Sequence, residues 1–123
     1  LLSLDEICSC IRSIIEGHDD KEFLFTVSPI RHMSLGAHAN TLSKSLLHIA
    51  LEQCEVPYFP AYEIVLDELR DYRFYAEDLV HPSPTAVEII WEKFLDSLTL
   101  PQERAQIERN EKESKASKHV RRT

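Results

Sequence analysis

From Leu4 the chain places apolar side chains at Leu4, Ile7, Cys8, Ile11, Ile14 and Ile15, the spacing of one helix face. Ser3 precedes this run and Glu6 lies three residues on, the spacing of a capping box in which each side chain accepts the other's backbone N–H. Gly17 is a natural stop. After the polar turn HDDKE comes FLFTV (Phe23–Val27), whose continuous apolarity predicts a short strand covered on both faces. A second helix is predicted from Asn40 to Cys54. Asn40 serves as its N-cap, Leu42, Leu46, Ile49 and Ala50 form its buried stripe, and Lys44 falls on its wet face. VPYF (Val56–Phe59) predicts a second strand, closed by Pro60. YEIVLDELRDY reads as a short helix or an irregular turn. Ser83-Pro84 then opens the last core helix, with serine as cap and proline in the first turn. Val87, Ile90, Trp91, Phe94, Leu95 and Leu98 make its apolar stripe, and Pro101 ends or kinks it.

Strands alternating with helices imply parallel pairing through right-handed crossovers, an α/β class. Two strands are too few for such a sheet. With the missing initial methionine, the shortage predicts that the N-terminal part of the domain is absent. It also predicts an exposed sheet edge at Phe23–Val27 and self-association through it. Residues 1–100 are expected to form the domain, and 101–123 a charged helical extension or disordered tail.

Charge narrows the partners. The 123 residues carry a net charge of −7. The first hundred hold seven Lys/Arg against seventeen Asp/Glu, while the remainder holds seven against four. An acidic body argues against a nucleic-acid surface, which needs clustered positive charge. No run of 18 apolar residues occurs, so no membrane span is expected. Cys8, Cys10 and Cys54 lack the paired spacing of a zinc site, so no metal is called for. Thiols left free fit a reducing, cytoplasmic setting.

The chemistry concentrates in EDLVHPSP, Glu77–Pro84. Histidine can take and return a proton near neutral pH. Asp78, three residues before His81, can curl back in one turn to hold a ring nitrogen. Pro82 stiffens the chain behind the histidine, and Ser83 reads as a helix cap. SPIRHMS sets Arg31 and His32 after the first predicted strand, on the side where open parallel sheets gather ligands. They are candidates for facing substrate. In LRDYRFY an arginine–aspartate lock is expected to shape the loop that follows.

D-x-x-H-P-S before a C-terminal helix resembles the last block of the SGNH/GDSL hydrolases. More specifically, FTVSPIRH, NTLSK, YFPAYEIVLDELRDYRFYAEDLVHPSP and WEKF resemble the GSCFA family, an SGNH-like group, over about Phe25 to Phe94. The resemblance implies a three-layer α/β/α, flavodoxin-like fold with parallel strands. It implies acyl-ester hydrolysis or transfer on a small-molecule or acylated substrate, without a cofactor. Asp78 and His81 match the family's acid–base residues. The nucleophilic serine of the family's G-S-C-F-A segment has no counterpart here. Ser28, Ser34, Ser43 and Ser83 sit in no recognisable nucleophile turn. The chain on its own is therefore expected to be inactive. The alternative is a non-catalytic interaction module that uses the exposed sheet edge. A nucleotide-binding domain finds no glycine-rich loop, since Gly17 and Gly36 are the only glycines.

Overall fold

A computed structural model describes residues 1–98 and 101–121. The chain divides into two compact units, Leu1–Val87 and Glu88–Thr123. The domain boundary expected at residue 100 falls outside the described residues, as do the last two residues of the tail.

In the first unit α1 spans Leu4–Glu16. Its start is the capping box: Glu6 N–H donates to Ser3 Oγ and Ser3 N–H to Glu6 Oε1, each at 3.2 Å. Gly17 follows the last turn and donates to the Ser13 carbonyl at 3.0 Å. α1 packs on α2, Ala37–Gln53. Cys8, Ile11, Val27, Ala50 and Leu51 form the core between them, with Ile7, Phe25 and Leu47 packed around it. Truncating one such side chain, Ile11 for example, would cost on the order of 2–5 kcal/mol.

Helix α2 departs from its predicted register. It starts at Ala37 behind Gly36, whose φ of 93° suits glycine, and not behind Asn40. Its inward stripe is Lys44, Leu47, Ala50, Leu51 and Cys54; Leu42 and Ile49 are exposed. Lys44, expected on the wet face, is only 2% exposed.

The three-layer α/β/α fold with parallel strands does not form. Among the described residues there are helices and turns but no strand, and so no sheet edge through which to self-associate. The two predicted strands meet at one parallel bridge, Phe25 with Tyr58. Phe25 N–H donates to the Pro57 carbonyl at 2.9 Å, and Phe59 N–H to the Phe25 carbonyl at 2.8 Å. Extending the ladder toward Phe23 would need an N–H at position 57, and proline has none. Extending it the other way would need Val27 N–H on the Phe59 carbonyl. That oxygen instead accepts the Thr26 hydroxyl at 2.8 Å and Ala61 N–H at 2.9 Å as the chain turns into α3. Nor is Phe23–Val27 covered on both faces. Phe23, Phe25 and Val27 are the less exposed, while Leu24 and Thr26 face outward.

Helix α3 is one turn, Ala61–Glu63, continued by a wider π-helical turn over Ile64–Glu68. Leu69 N–H closes it on the Ile64 carbonyl at 2.8 Å. Ile64 and Val65 are buried. A 3₁₀ turn follows at Tyr72–Phe74, capped by the Asp71 carboxylate on Arg73 N–H. The expected buried arginine–aspartate lock is instead an exposed contact, Arg73 Nε to Asp71 Oδ2 at 3.8 Å. Helix α4 spans Pro84–Leu98. Ser83 is buried and its hydroxyl accepts Ala86 N–H at 3.2 Å, so it caps the helix.

The second unit holds the rest of α4 and helix α5, Pro101–Arg121. Leu95 is buried there. Val87, Trp91 and Leu98, placed on the buried stripe by spacing, are exposed. Trp91 stacks on Phe94 with ring centroids 5.6 Å apart, and its indole N–H donates to Glu111 at 2.6 Å. Arg104 pairs with Glu92 and Asp96 on α4 and with Glu108 one turn along α5. The Arg104 pairs with Glu92 and Asp96 and the Trp91 indole bond to Glu111 run between these two helices. Among the described residues no helix is long and apolar enough to cross a membrane.

Candidate functional site

The loop bearing Asp78 and His81 is closed by its own backbone. Tyr75 and Pro82 form an antiparallel bridge. Ala76 N–H donates to the His81 carbonyl and Ser83 N–H to the Phe74 carbonyl, both at 2.8 Å. Between these anchors Leu79 N–H returns to the Ala76 carbonyl at 2.9 Å. Leu79 has a φ of 59°, a left-handed conformation that costs a leucine on the order of 1 kcal/mol. It reverses the chain between the two functional side chains.

The reversal lets one carboxylate do three things. Asp78 Oδ1 accepts the backbone N–H of Val80 at 2.9 Å and of His81 at 3.0 Å. Asp78 Oδ2 meets His81 Nδ1 at 2.6 Å. The two backbone N–H groups, then the ring, hold the Asp78 pKa down at about 2. At neutral pH the carboxylate is ionised and can only accept, so Nδ1 carries the hydrogen. In the neutral ring Nε2 is then the basic nitrogen. Both side chains are about half exposed, so that nitrogen is reachable from solvent. Among the described residues no serine hydroxyl hydrogen-bonds His81. Ser83 is spent on its cap and Ser28 Oγ accepts Ile30 N–H at 3.2 Å.

Arg31 and His32 are placed differently from one another. Arg31 N–H donates to the Val80 carbonyl at 3.3 Å, inside the Asp78–His81 loop. Its guanidinium lies over the Tyr75 ring, 4.6 Å from the centroid, a cation–π contact. His32 is tied through its backbone, its N–H donating to Asn40 Oδ1 at 2.8 Å, and its side chain is exposed. Arg31 therefore belongs to the loop's support, while His32 belongs to the start of α2. Asn40, read from sequence as a cap, is the acceptor that fixes the Arg31–His32 strap.

Two cavities flank Arg31. One of about 300 Å³ is lined by Arg31, Val65, Leu69, Arg70, Tyr72 and Tyr75 among others. The other, about 210 Å³, includes Arg31, Asn40, Thr41, Lys44 and Tyr62. Lys44 Nζ donates to the Ser28 carbonyl at 2.6 Å, and burial lowers its pKa from the ordinary lysine value. A larger cleft of about 480 Å³, lined by His48, Tyr58 and Glu63, includes neither Arg31 nor the Asp78–His81 pair. Among the described residues no group of three His, Cys, Asp or Glu side chains could hold a metal ion.

Sequence reasoning set Lys44 aside. The signal that could have found it is its spacing from Leu47, Leu51 and Cys54, which puts it on their face. No curated protein and no solved structure matches the chain. A model of the GSCFA family matches residues 1–94, a span that contains Arg31, Lys44, Asp78 and His81 and ends before α5. The chain belongs to the GSCFA family.

Proposed function

We propose that Asp78 and His81 are the acid–base pair of an SGNH-like acyl-ester hydrolase or acyltransferase. The observation that carries this reading is the 2.6 Å contact between Asp78 Oδ2 and His81 Nδ1, held by a carboxylate that two backbone N–H groups keep ionised. His81 Nε2 takes the proton of an attacking hydroxyl as its oxygen bonds to the ester carbonyl carbon. It returns that proton to the leaving alkoxide when the tetrahedral intermediate collapses. Asp78 stays ionised, fixes the ring and offsets the imidazolium charge. Arg31 and His32 lie toward the substrate, Arg31 through its tie to the loop. The attacking hydroxyl comes from a serine that this sequence does not carry. The family resemblance and the ties of Ser83 and Ser28 support that assignment.

A serine-directed fluorophosphonate, applied to the protein as the cell makes it, tests the reading. Labelling is expected to slow by at least about 100-fold in His81→Ala. Equal labelling of wild type and variant would remove His81 from the mechanism.

A further inference from the structure

Among the described residues Lys44 is the one charged residue that is buried, and the acid–base pair does not use it. It is 2% exposed, its ammonium meets a single carbonyl, and among the described residues no carboxylate lies within 4 Å of it. Arg31, on the same cavity, likewise has no carboxylate partner among them. This occurs in a chain with 21 acidic residues against 14 basic ones. A buried ammonium is costly unless it is paired and hydrogen-bonded. One bond to the Ser28 carbonyl leaves two of its three N–H donors to spend. Burial, and then the charges of Asp67 and Glu63 among others, raise the pKa of Tyr62 in the same lining, yet neither carboxylate forms an ion pair with Lys44 or Arg31.

The rest of the lining limits what could supply the missing charge. Pro29, Met33, Ala37 and Leu66 add apolar surface to the lining that Lys44 and Arg31 share. At about 210 Å³ the cavity is smaller than the sites that hold drug-sized ligands. Bare phosphate would leave the apolar surface without a partner, whereas a carboxylate on a short hydrocarbon stem meets both.

We propose that the Lys44–Arg31 cavity binds a small organic carboxylate, its carboxylate on the two cations and its stem against Met33, Ala37 and Leu66. The site is read by binding alone, so it stands or falls separately from the hydrolase reading. Occupancy would restore the charge balance that burial disturbs, so Lys44 should hold its proton more tightly in the complex.

Butyrate is the probe, titrated into the ¹⁵N-labelled chain at constant ionic strength. Amide shifts are expected at Arg31 and from Ala37 to Lys44, with a dissociation constant tighter than about 10 mM. Butyramide, of the same shape without the charge, is expected to bind at least tenfold more weakly, and phosphate likewise. Lys44→Met removes the charge while keeping the length, and is expected to weaken butyrate at least tenfold. Arg31→Gln gives a second reading should the first variant misfold. The wild-type comparison needs no variant at all. Equal binding of butyrate and butyramide, shifts confined to other surfaces, or an undiminished affinity in folded Lys44→Met would each overturn the proposal. Phosphate binding as tightly as butyrate would overturn the organic stem.

Discussion

Asp78 gathers three N–H donors on two oxygens, two from the backbone and one from the His81 ring. All three favour the ionised form, which is why its pKa falls from 3.8 to about 2. A carboxyl whose pKa is lower folded than unfolded stabilises the folded loop above the unfolded value. That contribution is lost as pH falls from near 4 toward 2. The side-chain carboxyl carbon, followed by NMR, should titrate near pH 2, and the Val80 and His81 amides should lose protection over the same range. A midpoint at or above 3.8 would contradict this geometry. The spacing of the pair was legible, because three residues is the reach of a carboxylate across one turn. The left-handed Leu79 between them was not, because nothing in a leucine announces a positive φ.

At the scale of elements, the capping box of α1 and the serine cap of α4 were legible, since each depends on residues within three positions. The sheet was misread. Leu24 is apolar yet 41% exposed, so an outward position passed for an inward one and hid the alternation. Pro57 was in plain view, and its missing N–H is what confines the pairing to one bridge. Lys44 misled the reading of α2 for the converse reason, a charged residue on the inward stripe. The Thr26 hydroxyl on the Phe59 carbonyl holds the two extended segments together beside that bridge. Thr26→Val keeps the shape and removes the donor, so it should cost about 1 kcal/mol in urea unfolding with the slope unchanged. Thr26→Ser should keep most of the stability. A Thr26→Val variant as stable as wild type would show that the hydroxyl contributes nothing to the pairing.

Across the whole molecule, charge and chemistry are segregated. The family match ends at residue 94, and α5 beyond it is held by Arg104 and its carboxylates and by Trp91 on Glu111. The functional candidates all fall within residues 28–83 of the first unit, where backbone hydrogen bonds carry the loop of Asp78 and His81 and tie it to Arg31. The central claim is that Asp78 holds the His81 ring with Nδ1 protonated, leaving Nε2 as the base. Long-range ¹H–¹⁵N NMR of the His81 ring reads this directly. At a pH where the ring is neutral, the expected result is a protonated Nδ1 and a bare Nε2 in wild type, with that preference lost in Asp78→Ala. A ring that carries its hydrogen on Nε2 in wild type, or a tautomer indifferent to Asp78, would contradict the account.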